Sequence, residues 1–252
     1  MNGVALLDTL MANAWPAVID ENHDGWRYRW ADGATRRANS ALALGGNGNI
    51  ADLVAGAEAF YRQRSAPTTI QVSTASAPQE LPAYLVECGY RPTATTLVLG
   101  AETSEVLERA RPTLDVEVAT VLIPQWLDAY WAVESSRHHN ESTKAVYRDV
   151  LLAPRVPAMF ASLHRPDGIA GVGQLVIEGG WGGVQCMATL LNHRRSGIAR
   201  TIIGRLAQEA AMRHISQMYL AVMVDNDPAK ALYTNIGFRT LHEYSYFTTS
   251  QA

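Results

Sequence analysis

Apolar positions along the C-terminal half follow two periods, and the points where the period changes mark the elements. Residues 171–177 and 183–191 are strand-length apolar blocks separated by Glu178-Gly179-Gly180-Trp181, which predicts a β-hairpin. From Ile198 the spacing lengthens. Ile198, Ile202, Leu206 and Ala210 recur every four residues, and Ile203 and Ala207 widen the stripe. Arg200, Arg205, Gln208, Glu209 and Arg213 occupy the remaining face, so the segment predicts an amphipathic helix. Another strand is expected over 218–224, then a helix with Pro228 in its first turn and Asp227 as N-cap, then a closing strand around 244–247.

The N-terminal half repeats this order. Segments 26–31 and 37–44 flank Asp32-Gly33, a hairpin signal. Gly45-Gly46-Asn47-Gly48 precedes the helical spacing Ile50, Leu53, Ala57, Tyr61, and a strand is expected at 69–72. The run Tyr84-Leu85-Val86-Glu87-Cys88-Gly89-Tyr90-Arg91 echoes Leu232-Tyr233-Thr234-Asn235-Ile236-Gly237-Phe238-Arg239, in each case a helix end, a left-handed glycine and an aromatic entering a strand. The charged segment 101–113, ending in Arg111-Pro112, reads as a helical linker. Two copies of one α/β unit follow, with domains at 1–112 and 113–252.

Composition narrows the class. Of 252 residues 48% are apolar and 18% charged, enough to bury a core. Residues 1–112 hold nine Lys/Arg and twelve Asp/Glu, the remainder twelve of each, so the net charge of −3 arises in the first half. No basic face suggests nucleic acid, and no long apolar run suggests a membrane span. Cys88 and Cys186 form no CxxC pair and no disulfide framework. With no signal-like N-terminus, a cytoplasmic location is expected, as a monomer or homodimer.

The chemistry concentrates between His193 and Phe238. Arg194-Arg195-Ser196-Gly197-Ile198-Ala199 opens a helix after an apolar strand. Its first backbone N–H groups have no intrahelical acceptor, and the helix dipole favours an anion such as a pyrophosphate. Gly197 and Ala199 permit close approach, and Arg194 and Arg195 add charge. Gly-x-Gly-x-x-Gly after a strand is absent, as is Gly-Lys-Ser/Thr, so a dinucleotide or nucleoside triphosphate is disfavoured. Downstream, Tyr233 has the proton-donating chemistry of a general acid.

These residues resemble the GNAT family of N-acetyltransferases. Arg194 to Ala199 matches the family's Arg/Gln-x-x-Gly-x-Gly/Ala loop, and Asn226, Leu232-Tyr233 and Gly237-Phe238 match its second signature. The run from Trp30 to Ser40, Trp-Ala-Asp-Gly-Ala-Thr-Arg-Arg-Ala-Asn-Ser, is similar to the N-terminal halves of tandem bacterial members. The resemblance implies an α/β (α+β) protein of two tandem acetyltransferase-like units, the first degenerate. Each is a mixed, mostly antiparallel twisted sheet flanked by helices, with splayed central strands in the C-terminal unit.

It further implies acetyl-CoA as co-substrate and an amine of a small molecule or peptide as acceptor, acetylated by direct attack. Met187, Ala188 and Thr189 would contact the pantetheine arm, Arg194 to Arg200 the pyrophosphate, and Asn226 the arm or the turn into the helix. Tyr233 would protonate the leaving thiolate. Where many members carry a strand glutamate, this chain has Gly182-Gly183, so the base is left among Glu178, Glu134, His138, His139 and Glu141, or a water chain. His138-His139-x-Glu141 lacks a further ligand at suitable spacing, and no metal is expected. Cys186 is expected to face the same way as Val184 and Ala188. The missing strand glutamate leaves a second reading open, a silent acyl-CoA-binding or regulatory module.

Overall fold

The computed structural model describes residues 3–46, 48–134, 141–154 and 156–249. They divide into two compact units. Unit 1 comprises residues 1–97 together with 242–252, and unit 2 residues 98–241.

Unit 1 opens with α1 (Gly3–Ala14), followed by β1 (Ile19–His23) and β2 (Trp26–Trp30). These two strands form an antiparallel hairpin closed by Asp24 (φ 49°) and Gly25 (φ 86°). That Asp-Gly pair makes the tight turn, because two consecutive positive φ angles match the twist of a two-residue hairpin. β2 also pairs antiparallel with the strand at Ala41–Ala43 (Trp26↔Ala43, Tyr28↔Ala41), as expected across Asp32-Gly33, though that pair begins a longer connection rather than a two-residue turn. Asn39 Oδ1 accepts from Ala31 N (2.8 Å) and Gly33 N (2.9 Å), folding the Trp30–Ser40 run around one buried amide. β3 (Ala41–Ala43), α2 (Ile50–Arg62) and β4 (Thr69–Ser73) follow, with β3 and β4 parallel across the helix. α2 buries Leu53, Val54, Ala57, Phe60 and Tyr61 against Trp26, Tyr28, Ile70 and Val72. α3 (Leu81–Glu87) leads into β5 (Arg91–Glu102), which passes from unit 1 into unit 2.

In unit 2, α4 (Thr103–Arg109) stands where the linker helix is expected. β6 (Glu117–Ala119), α5 (Pro124–Glu134) and α6 (Glu141–Leu152) precede an antiparallel run of β7 (Ala158–Arg165), β8 (Gly168–Glu178) and β9 (Trp181–Thr189). α7 (Ile198–Met212) crosses to β10 (Gln217–Met223), parallel to β9, and α8 (Asp227–Asn235) leads into β11 (Arg239–Thr248). Strand order within unit 2 is β10-β9-β8-β7-β6. The apolar stripe of α7 lies on β8 and β9, so closely that a Cβ on Gly173 would stand 2.6 Å from Met187 Sδ and 2.9 Å from Ile202 Cγ2. β11 ends in unit 1, where Tyr244–Thr248 pair antiparallel with β4, giving that unit the order β1-β2-β3-β4-β11.

Candidate active site

β9 and β10 set the geometry. Their register covers four pairs, from Gln217↔Trp181 to Leu220↔Val184, and both strands then run on unpaired with each other. The strands therefore part beyond Val184, leaving the side of β9 from Gln185 to Thr189 without a partner in β10. An unpaired strand edge offers backbone donors and acceptors to an extended ligand. Met187 and Thr189 are half-buried and Ala188 buried along this stretch.

A β-bulge sits at the same place. Gln174 pairs with Gln185 and Val172 with Ala188, so Cys186 and Met187 together oppose Gly173. Cys186 takes φ 52°, which breaks the simple alternation with Val184 and Ala188 expected from the sequence. Its thiol is buried and lies 3.8 Å from Gln174 Oε1. Gln174 is fully buried, and its Nε2 has no hydrogen-bond partner among the described residues.

The turn after β9 places the basic residues together. Arg194, Arg195, Ser196 and Gly197 are exposed, Ile198 is buried and Ala199 half-buried. Gly197 is the N-cap of α7 at φ 78° and makes no side-chain cap, so the first N–H groups of the helix receive no side-chain acceptor. Space around Gly197 is open: a Cβ there would meet nothing within 4 Å. These features fit an anion approaching the backbone. Arg194 Nε donates to Thr189 O (3.3 Å), and Ser196 Oγ donates to His193 O, both of which brace the loop. Arg200 points elsewhere. Its Nε (3.2 Å) and Nη2 (2.5 Å) donate to the carbonyl of Arg109 at the end of α4.

Tyr233 lies on α8, 8% exposed, with its ring edge-on to Phe238 at 6.2 Å. Burial alone pushes its pKa up to about 12. Asn226, not Asp227, caps this helix: Asn226 Oδ1 accepts from Ala229 N (3.3 Å), while Asp227 pairs with Lys230 (2.8 Å). An amide accepts this bond as well as a carboxylate, and the helix begins one residue earlier than an Asp227 cap would place it.

Of the candidate bases, Glu178 ends β8 half-buried, opposite Trp181. Its charge acts on Tyr219, a residue not among the sequence's candidates. Burial first, and the charge of Glu178 second, raise the Tyr219 pKa. Tyr219 pairs with Gly183 across β9 and β10, and a Cβ on Gly183 would stand 2.5 Å from its hydroxyl. The glycine that replaces the family's strand glutamate thus accommodates a tyrosine from the next strand. A signal was present, since Tyr219 falls in an apolar strand expected beside Gly182-Gly183. Glu141 is the first residue of α6, and Glu134 the last of α5. His138 and His139 lie outside the described residues. Trp126 is core, donating Nε1–H to Ala161 O (2.9 Å). No group of three or more His, Cys, Asp or Glu suited to a metal ion occurs among the described residues. No described helix is long and apolar enough to cross a membrane.

A mixed sheet whose parallel central strands part beside an uncapped, arginine-flanked helix defines a GNAT-type acetyltransferase. The chain belongs to the family described as "Probable histone acetyltransferase Rv0428c C-terminal", which matches residues 4–247. It is 25% identical over 256 residues to an uncharacterized N-acetyltransferase, YobR, of Bacillus subtilis (strain 168), covering 98% of each chain. Among solved structures, a GCN5-related N-acetyltransferase from Kribbella flavida aligns over 100% of this chain and 97% of its own (TM-score 0.71, 14% identity). A tandem GNAT protein from the clavulanic acid biosynthesis pathway aligns over 98% and 88% (TM-score 0.68, 15% identity). At such identities the structural likeness speaks for the fold alone. Family membership and the N-acetyltransferase relative make the protein an acetyltransferase enzyme of the GNAT kind.

Proposed function

We propose that the protein transfers the acetyl group of acetyl-CoA to a primary amine of a small molecule or peptide by direct attack. The observation that carries this reading is the parting of β9 and β10 beyond Val184 and Leu220, next to the uncapped start of α7. In this reading the pantetheine arm lies along Met187, Ala188 and Thr189, with a backbone N–H of Ala188 or Thr189 holding the oxygen on which charge develops. Arg194, Arg195, Ser196, Gly197, Ile198 and Ala199 receive the pyrophosphate. Arg200 contributes from the first turn of α7 while its guanidinium braces α4. Asn226 fixes the turn that presents α8, and Tyr233 protonates the departing thiolate. Glu178 and Glu141 are the carboxylates proposed to accept the amine's proton. Acetyl-CoA supplies the activated thioester, and no metal is invoked.

We further infer a tandem of two such units, 1–112 and 113–252, with the first degenerate. The matching helix ends support this. Tyr90 N donates to Leu85 O (2.9 Å) and Gly89 N to Val86 O (3.1 Å) in one, and Phe238 N to Tyr233 O (3.0 Å) and Gly237 N to Thr234 O (3.1 Å) in the other. Leu85 thus stands where Tyr233 stands, and carries no proton to donate. The start of α2 in unit 1 borders a 390 Å³ groove lined by Glu21, Asp24 and Asp52, whose charge repels a pyrophosphate.

The test is an amine-panel screen for free CoA thiol, run beside Tyr233→Phe. Amine-dependent thiol release is expected, with a loss of turnover of about 10²–10⁴-fold in the variant. Acetyl-CoA binding without thiol release across the panel would overturn transfer. An unchanged Tyr233→Phe rate would overturn the acid role alone. Glu178→Gln and Glu141→Gln, compared on the same amine, choose between the two bases.

A further inference from the structure

Glu178, Trp181 and Tyr219 share one face of the unit 2 sheet, at the end where β9 and β10 are still paired. Glu178 in β8 stands directly opposite Trp181 in β9. Gly183, two residues along β9, turns its Cβ direction to the same side, because strand positions alternate. Tyr219 in β10 pairs with Gly183, and its ring lies edge-on to Trp181 at 6.3 Å. The absence of a side chain at Gly183 admits the phenol, since a Cβ there would stand 2.5 Å from the Tyr219 hydroxyl. The pair Leu220↔Val184 follows, and beyond it the strands part. The phenol oxygen therefore borders the opening in which the acceptor amine has to meet the thioester.

The hydroxyl contributes no bond to the fold. Tyr219 is buried, yet its oxygen makes no hydrogen bond to a described residue and is not closed to water. Phenylalanine would fill the same space and leave no polar atom unpaired, so packing alone does not call for tyrosine. The charge that acts on the phenol is that of Glu178, and burial together with that charge raises the Tyr219 pKa. Tyr219 therefore stays a neutral hydroxyl. It offers one O–H to donate and a lone pair to accept, which suits it to pass a proton on and not to keep one.

We propose that Tyr219 is a catalytic residue that carries a proton from the acceptor amine to Glu178. The proposal rests on the acetyl-transfer reading above, and it sets Glu178 ahead of Glu141 as the base. The ammonium form of the amine gives one N–H proton to the Tyr219 oxygen, directly or through water. In the same step the Tyr219 O–H proton moves to a Glu178 carboxylate oxygen by the same means. The phenol ends as it began, and the nitrogen gains a free lone pair. That lone pair bonds to the thioester carbon and the C–S bond breaks. Tyr233 protonates the sulfur and recovers a proton from the nitrogen, while Glu178 returns its own to solvent. The carboxylate that other family members carry on the strand of Gly183 is thus supplied from β8 and reached through the phenol.

The test uses the full chain with acetyl-CoA and an amine that the parent acetylates, and reads thiol release against pH beside the Tm. Tyr219→Phe keeps the ring over Gly183 and against Trp181, so its Tm is expected to equal that of the parent. Its kcat is expected to fall about 10²-fold at about pH 7.5, with the KM for acetyl-CoA unchanged. The loss should shrink toward about pH 10, where a primary amine reaches the enzyme already neutral, a recovery that a purely structural role would not produce. Glu178→Gln should show the same pH profile, and the double variant should be little slower than either single one, as residues acting in one path are. A Tyr219→Phe enzyme as fast as the parent would overturn the relay, as would a loss that persists undiminished at high pH. Costs that multiply in the double variant, or a lowered Tm in Tyr219→Phe, would overturn it too. A parent that releases no thiol with any amine would overturn the acetyl-transfer reading itself, and the relay with it.

Discussion

Tyr233 and Gly183 are single positions whose surroundings decide their chemistry. With its pKa pushed up to about 12 by burial, Tyr233 stays protonated through the range in which an amine loses its proton. In the proposed reaction the acid is therefore present wherever the nucleophile is. The rate should rise with pH as the acceptor amine deprotonates and hold to at least about pH 10, its fall coming only as Tyr233 ionises. A kcat that already falls with rising pH before about pH 9 on a stable enzyme would remove Tyr233 as the acid. Gly183 is constrained by space rather than by backbone freedom, because the Tyr219 hydroxyl and Cζ occupy the position its Cβ would need (2.5 and 2.6 Å). The Tyr219 ring is itself held edge-on to Trp181 at 6.3 Å. Gly183→Ala is expected to cost about 1–3 kcal/mol by forcing that ring aside. Combining it with Tyr219→Ala should give less than the sum of the two costs in urea unfolding, since the clash is gone. Strict additivity would show that the two residues do not crowd each other.

Elements read best where their pattern is long. The four-residue spacing from Ile198 to Ala210 foretold α7 because helix burial repeats over several turns, and each repeat is an independent observation of the same face. The bulge at Cys186 was not legible. It depends on one extra residue in β9 against Gly173, and no local preference of Cys186 announces a positive φ. The β1–β2 hairpin was legible in principle through Asp24-Gly25, but Asp32-Gly33 carries the same signal eight residues later. Only the capture of that second turn by Asn39 separates them. The contact of α4 with α7 was also hidden, as it rests on Gly204. A Cβ there would lie 1.7 Å from the Ala110 carbonyl oxygen, which is backbone and cannot rotate away. Gly204→Ala is expected to push the helices apart and to cost about 3 kcal/mol or more. It should also free the Arg109 carbonyl from Arg200 and so loosen the turn at Arg194–Ala199. A midpoint in urea unfolding unchanged from the parent would contradict that packing.

At the scale of the whole molecule, the repeat read from the sequence runs in chain order while packing does not, because β11 leaves unit 2 after Leu241 and completes unit 1. Its Tyr244–Thr248 stretch covers β4, and Thr95 Oγ1 meets Ser245 Oγ at 2.8 Å. His242 Nε2 reaches Asp8 Oδ1 at 3.0 Å, while Ser73 Oγ donates to Asp8 Oδ2 at 2.6 Å. Asp8 is 1% exposed, so the last strand supplies one of the two donors that make its burial tolerable. No local pattern encodes this, since Asp8 and His242 lie 234 positions apart and each alone reads as an ordinary polar residue. A chain ending at Leu241 would therefore lose the strand that pairs with β4, uncover the hydrogen-bonding edge of β4 and leave a buried carboxylate half-satisfied. Losing a partner to a buried charge costs about 3–5 kcal/mol, a large fraction of what holds a domain of this size together. Hydrogen exchange should show protection lost at Ala41–Ala43 and Thr69–Ser73, while Gly168–Glu178 and Trp181–Thr189 in unit 2 stay protected. Protection retained at Thr69–Ser73 in the shortened chain would mean that unit 1 closes without β11.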